Sequence, residues 1–91
     1  TVRFLTSRSD TRLGVSEIVA APNTRLEHKT SHAGQEVVHV IAGSVVVDLD
    51  SGENFDLGVG DTVSYTATVP HSWVSGPEGA RFLIMCAPAS F

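Results

Sequence analysis

The sequence predicts one small all-β domain, built as an antiparallel barrel or sandwich. Two observations predict it: the apolar runs are short and rich in valine, and glycine or proline interrupts them throughout. Turns at such short spacing disfavour an alternation of strands with helices. A chain of 91 residues, 42% of them hydrophobic, can build one core, so we expect residues 1–91 to form a single domain.

Short apolar segments bounded by turn residues predict the individual strands. Turn signals separate them, and Asp50-Ser51-Gly52 is typical of a hairpin tip because glycine readily adopts a positive φ. Glycine also marks predicted turns at Gly43 and at Gly76 to Gly79. The predicted strands are Val2–Leu5, Leu13–Ala20, Arg25–His32, Glu36–Ala42, Ser44–Leu49, Glu53–Leu57, Thr62–Thr66, Ser72–Ser75 and Ala80–Ala87.

Composition excludes several classes of function. Charged residues make up only 18% of the chain, which argues against disorder. The net charge is -4 and the acidic and basic residues are scattered, so we expect no direct contact with nucleic acid. No apolar stretch approaches the roughly 20 residues of a membrane span, so we expect no membrane partner. The single cysteine, Cys86, is expected to be buried and reduced, which favours the cytoplasm.

A carboxylate lies in an unexpected position in the predicted strand Glu36–Ala42. In an alternating strand, Glu36, Val38 and Val40 share one face, while Val37 and His39 share the other. A carboxylate on the same face as two valines is costly unless it is paired or bound to a metal ion. Glu36 therefore needs a partner.

Two histidines are candidates for that partner. His32 and Glu36 flank the predicted turn Ala33-Gly34-Gln35, and His71 follows Pro70 at the end of another strand pair. Two imidazoles and one carboxylate suit a divalent ion such as Fe(II), Mn(II), Ni(II) or Zn(II), with coordination positions left open. We expect His32, Glu36 and His71 to be metal ligands, with ordinary polar residues of a barrel as the alternative.

The spacing around these residues resembles the two sequence motifs of the cupin superfamily. Residues 30–36 followed by Gly43 resemble the first motif, H-x-H-x(3,4)-E-x6-G. Gly60-Asp61, Pro70-His71 and then Ser75 resemble the second, G-x5-P-x-G-x2-H-x3-N. The resemblance covers about residues 30–43 and 60–75, and it implies a small cupin (double-stranded β-helix, or jelly-roll) barrel.

The sequence departs from these motifs at three positions. Thr30 replaces the first histidine, Thr68 replaces a glycine, and Ser75 replaces the closing asparagine. The resemblance therefore implies three ligands, His32, Glu36 and His71, rather than four. We expect a ligand pocket beside them, with the core or a subunit interface as the alternative for its two aromatic residues; the expected lining residues are Thr30, Val38, Tyr65, Trp73 and Ser75.

A narrower resemblance points to a regulator. Residues 32–36, 57–61, 69–71 and 87–91 together resemble the C-terminal sensor domain of bacterial XRE-type transcription regulators. That resemblance implies a small-molecule effector, a homodimer, and DNA binding through an upstream helix-turn-helix domain. Met85 is the only methionine, so we expect Thr1 to follow further residues in a longer protein.

The same His-Ala-Gly-x-Glu segment also resembles the hydroxypropylphosphonate epoxidase family, and the motif does not choose between the two. That likeness implies a mononuclear non-haem metal-dependent oxygenase, although Glu27 is the one evident acid or base besides the ligands. A third hypothesis is a metal-free module in which Glu36 meets a cationic ligand or a carbohydrate binds. Whether the domain is an enzyme stays open at this point.

Overall fold

Six strands carry the fold in this computed structural model, which describes residues 1–7, 12–26 and 28–90. Glu27 and Phe91, both used in the sequence analysis, lie outside the described residues. None of the described residues is helical, so the all-β prediction is confirmed, and that part of the chain holds no helix able to cross a membrane. The strands are β1 Val2–Phe4, β2 Gly14–Ala20, β3 Gln35–Leu49, β4 Asn54–Leu57, β5 Thr62–Thr66 and β6 His71–Ala87.

Two long strands, β3 and β6, organise the sheet. Its order is β1-β2-β6-β3-β4, with β5 also paired to β3, and every pairing is antiparallel. The first half of β3 pairs with β5 on one edge and with the end of β6 on the other. The second half pairs with β4 and with the start of β6. The two halves of β3 therefore have different neighbours, β5 for the first half and β4 for the second, and β6 pairs with both halves.

The glycines at Gly43 and Gly79 lie inside these long strands, where the sequence had predicted turns. Gly43 lies between two register shifts of the β3–β6 ladder, with φ 72°. A side chain there would place its Cβ 2.0 Å from the carbonyl oxygen of Gly79, so only glycine lets the two backbones approach this closely. The predicted breaks after Ala42 and Ser75 are wrong because glycine bends these strands without ending them.

The predicted strand Arg25–His32 is also wrong. The described residues of this segment pair with β6 at two isolated bridges, Arg25 with Val74 and Thr30 with His71. The sequence between these bridges has one apolar side chain, so it has no apolar face to bury as a strand would. The segment instead lies along the start of β6 as an irregular connection, and it ends beside the predicted ligands.

The core confirms the predicted alternation of β3. Val38 and Val40 are 2% and 0% exposed, and Glu36, on the same face, is 6% exposed. The second half of β3 adds two more buried valines, which pack with Phe82 of β6 in one cluster. The hairpin at Asp50-Ser51-Gly52 forms as predicted, with Gly52 at φ 99° between β3 and β4.

Candidate metal centre

The turn between His32 and Glu36 is fixed by Gly34. Gly34 has φ 90°, and a Cβ there would lie 2.1 Å from the carbonyl oxygen of Ala87, so the turn requires glycine at this position. The amide of His32 donates to the carbonyl of Ala67 at 2.9 Å, which ties the turn to the loop after β5. His32 and Glu36 are thereby brought to the same side of the barrel.

His71 completes the cluster from the opposite strand. It is the first residue of β6, and its backbone exchanges two hydrogen bonds of 2.9 Å with Thr30. The Nε2 atom of His32 lies 3.0 Å from Glu36 Oε1, and the Nε2 atom of His71 lies 3.3 Å from Glu36 Oε2. One ligand atom from each of the three residues lies within 4.8 Å of the others. The structure therefore brings the three predicted ligands together.

Backbone carbonyls orient both imidazoles. His71 Nδ1 lies 2.8 Å from the carbonyl oxygen of Val69, and His32 Nδ1 lies 3.3 Å from that of Ala33. A carbonyl oxygen only accepts hydrogen bonds, so each Nδ1 carries the proton. In the neutral tautomer, both Nε2 lone pairs then point at the carboxylate of Glu36.

The residues present fit a divalent metal ion. Two nitrogen lone pairs and a carboxylate converge, and they repel one another unless a cation lies between them, whether a metal ion or protons on the imidazoles. Orientation of each imidazole through its other ring nitrogen is the usual arrangement of metal-binding histidines. When bound, a divalent ion would supply open coordination positions for an oxygen-donor ligand, and His32, Glu36 and His71 would hold it.

Two further side chains hold the carboxylate of Glu36 without neutralising it. The Tyr65 hydroxyl donates a hydrogen bond to Oε2, and the Cys86 thiol donates to Oε1 at 3.4 Å. Burial and the nearby charge of Glu36 raise the pKa of Tyr65 well above its ordinary value and raise that of Cys86 to about 12. Both groups therefore remain protonated and donate to Glu36.

A cavity of about 470 Å³ opens onto this cluster. Its walls come from β1, β2, β3, β6 and the segment before β3, and His71 is not among the lining residues, so the cavity lies on one side of the cluster of His32, Glu36 and His71. The described lining residues are Val2, Phe4, Gly14, Ser16, Thr30, Ser31, His32, Glu36, Ile84, Cys86 and Ser90.

Only one of the five residues expected to line the ligand pocket, Thr30, is among those lining this cavity. Val38 lies in the core, and Tyr65 packs beside His71 with its hydroxyl on Glu36. Trp73 packs edge-on against Phe82, with ring centroids 5.2 Å apart. The Ser75 hydroxyl donates to the carbonyl oxygen of Ala21 at 2.6 Å and so secures a turn.

The sequence analysis did not anticipate the wall formed by β1, β2 and β6. Phe4, Ser16 and Ile84 line it, and Cys86 donates to Glu36 rather than acting only as a small core residue. Ser16 and Ile18 share one face of the predicted strand Leu13–Ala20. This pattern was a usable signal, because it places a hydroxyl on the inward face beside an apolar side chain. The pairing of Cys86 with Glu36 depends on strand register, which no local pattern gives.

Comparison with known proteins identifies the family. The model of the cupin domain family matches residues 16–86. The chain is a cupin. The resemblance drawn from the two motifs is therefore confirmed. A search of curated proteins finds no match.

Solved structures share this cupin's fold. A cupin domain of an XRE family transcriptional regulator from Enterobacter cloacae is 22% identical, covering 99% of this chain and 97% of that one, with a TM-score of 0.85. An HTH_3 family transcriptional regulator from Vibrio cholerae is 22% identical over 98% of this chain and 51% of its own, with a TM-score of 0.82. An oxalate decarboxylase variant from Bacillus subtilis is 28% identical over 99% of this chain and 26% of its own, with a TM-score of 0.81.

Proposed function

We propose that residues 1–91 form one ligand-sensing cupin domain of a bacterial transcription regulator. A small-molecule effector would bind in the 470 Å³ cavity through a divalent metal ion held by His32, Glu36 and His71. The observation that carries the proposal is the convergence of these three residues, two of which, His32 and Glu36, line the cavity. The likeness to the Enterobacter cloacae regulator domain supports the regulator context. DNA binding would belong to a helix-turn-helix domain upstream of this chain, in the cytoplasm.

Titration calorimetry with Mn(II), Ni(II), Zn(II) and, without oxygen, Fe(II) tests the metal site at neutral pH, where neutral imidazoles coordinate. We expect one ion per chain, and we expect Glu36→Gln to weaken binding by more than about 100-fold, since changes outside the ligand set alone cost 10–100-fold. Glu17→Gln is the matched control, because Glu17 is a second buried glutamate that lies away from the cavity.

Equal binding of every metal by wild type and Glu36→Gln would mean that Glu36 is structural and that the site is wrongly placed. Failure of wild type to bind any of the four metals would favour the metal-free alternative. In that alternative Glu36 is the counter-charge of a cationic ligand, so the same substitution should abolish binding of that ligand.

We also propose that the domain forms a homodimer through the outer face of the sheet. Strand register places Val15, Met85 and Val37 in one row across β2, β6 and β3. Leu83 lies in the next row, and Ile41 on the same outer face is 37% exposed. A 91-residue domain has a limited core of its own, so covering these apolar side chains would add stability.

Light scattering at micromolar concentration tests the dimer. We expect wild type at twice the mass of the chain and Leu83→Glu as a monomer, because the substitution would bury a second carboxylate near Glu17 in the interface. Val59→Glu is the control, since Val59 is 67% exposed in the turn between β4 and β5. A monomeric wild type, or an unchanged mass for Leu83→Glu, would contradict this interface.

A mononuclear metal enzyme is the second candidate function. The 28% identity to an oxalate decarboxylase, over a quarter of that protein, favours it. A cupin enzyme would turn over substrate at the open coordination positions, whereas a sensor would bind its ligand stoichiometrically and release it unchanged. Mass spectrometry of a bound ligand before and after incubation with the metal-loaded domain in air separates the two. A chemically altered ligand, formed in excess over protein, would replace the sensor proposal with the enzyme.

A further inference from the structure

The inward face of the sheet carries two neighbouring rows of different polarity. In one row, strand register places Gly14, Cys86, Glu36 and Tyr65 side by side across β2, β6, β3 and β5. In the next row it places Phe4, Ser16, Ile84 and Val38 side by side across β1, β2, β6 and β3. Positions two residues apart along a strand are separated by about 7 Å. An ion bound at Glu36 would therefore lie about 7 Å from the apolar row.

The cavity spans both rows. Its polar end is formed by His32, Glu36 and Thr30, and its apolar end by Phe4 and Ile84. Gly14 lines it beside Cys86, so no side chain from β2 fills the space next to the metal ligands. The cavity thus has a coordinating end and an apolar end, and strand register places Ser16 in the apolar row between Phe4 and Ile84.

The apolar end is incompletely covered by the protein itself. Phe4 is 41% exposed and Val2, on the same strand and also lining the cavity, is 57% exposed. Strand β1 is three residues long and, among the strands of the described residues, pairs only with β2. A ligand lying between the metal ligands and β1 would cover Phe4 and Val2, and its removal from water would strengthen binding.

We infer that the ligand of this cavity is an organic oxygen chelator with one coordinating head and an apolar body of several carbon atoms. The head lies at the ion held by His32, Glu36 and His71, and the body lies along Phe4 and Ile84 toward β1. This inference rests on the proposed metal site and adds to it the chemical class of the ligand and the side chains that select it.

Two hydroxamates with the same coordinating head test this assignment. Hexanohydroxamate carries four more methylene groups than acetohydroxamate, and each methylene removed from water is worth about fourfold in affinity. We expect the metal-loaded domain to bind hexanohydroxamate at least about tenfold more tightly, as measured by calorimetry. Hexanamide, which has the same body without the chelating head, should bind at least about 100-fold more weakly. Metal retained on the protein is measured in the same samples.

Substitutions on β1 locate the selecting surface. Phe4→Ala should bring the two hydroxamate affinities to within about threefold of each other while metal affinity stays at the wild-type value. Leu5→Ala is the matched control, because Leu5 is 46% exposed, adjacent to Phe4, and not among the residues lining the cavity. It should keep the wild-type preference.

Three outcomes overturn the inference in distinguishable ways. Equal affinity for both hydroxamates in the metal-loaded wild type overturns it and leaves the metal site intact. A preference that survives in Phe4→Ala shows that the body lies elsewhere, which overturns the assignment of the apolar end. Failure of the domain to bind metal at all overturns the proposed function, and the inference with it.

Discussion

Glu17 and Glu36 are two glutamates of the same sheet with nearly equal burial, 8% and 6% exposed, on opposite faces. Glu17 meets two permanent cations: Arg81 at 2.7 Å and Arg3 at 3.2 Å. Glu36 meets two imidazoles, the Tyr65 hydroxyl and the Cys86 thiol, none of which carries a permanent charge. Burial of a carboxylate therefore does not by itself mark a functional site. The difference lies in whether its charge is already neutralised.

The largest expected difference between the two glutamates is in stabilisation by metal. A ligand present at 100 times its Kd stabilises a protein by about 2.7 kcal/mol, which raises the Tm of a domain this small by about 10 °C or more. We expect Zn(II) or Mn(II) to raise the Tm of wild type and Glu17→Gln by this amount and to leave Glu36→Gln unchanged. Thermal melts followed by circular dichroism, with and without EDTA, measure it. A similar rise of the Tm in all three proteins would show that Glu36 contributes no more to metal binding than Glu17 does.

The next prediction concerns the orientation of the Glu36 carboxylate. Tyr65→Phe removes one hydrogen bond to Oε2 and keeps the ring beside His71. We expect metal affinity to fall 10–100-fold, because groups that orient metal ligands typically contribute that much. Trp73→Phe is the control, since Trp73 packs against Phe82 and makes no contact with the carboxylate. Calorimetry showing the same affinity for Tyr65→Phe and wild type would make Tyr65 a packing residue only.

The smallest expected effect is on Glu17. A hydrogen bond from Arg81 lowers the pKa of Glu17 below its ordinary value of 4.5; burial opposes this, and the charges of Arg3 and Arg81 add to it. A lowered pKa means that the ionised carboxylate favours folding above pH 4.5, and that this contribution disappears as the pH falls through the folded-state value.

Arg81→Met should therefore raise the pKa of Glu17 and remove part of the loss of stability in acid. Carbon-detected NMR titration of the side-chain carboxyl between pH 2 and pH 6 measures the shift. Arg25→Met is the control, because Arg25 pairs with Asp48 and lies away from Glu17. An unchanged Glu17 titration in Arg81→Met would show that Arg3 alone holds the carboxylate in its ionised form.

The sequence was sufficient to predict that His32 and Glu36 lie together, because the determinants of that contact are local. Glu36 shares a face of its strand with Val38, which predicted that the carboxylate lies inside. The short turn at Gly34 predicted that His32 lies next to it. His71 followed from its motif position. Glu17 was not singled out, since its partner Arg81 lies 64 residues away in the sequence.

The errors that divided the two long strands arose where a glycine has two structural uses. Gly43 and Gly79 resemble turn residues in sequence, but they allow two long strands to approach within a distance that a Cβ would prevent. No local pattern separates these uses, because the partner backbone lies 36 positions away along the chain. The cavity wall was missed for the same reason, since Phe4, Ser16 and Ile84 become neighbours only through strand register.

Consecutive residues of strand β6 point their side chains to opposite faces of the sheet. Ile84 lines the cavity, while Leu83 and Met85 on either side of it belong to the outer face. A backbone shift at Ile84 on ligand binding would also move both neighbours, because they share its two peptide planes. By thermodynamic linkage, if each bound ligand tightens the association of two copies tenfold, that ligand is itself bound tenfold more tightly by the pair than by the single copy. Measuring hexanohydroxamate affinity at protein concentrations below and above dimer dissociation would give this factor, and equal affinities would show that the two faces of β6 act independently.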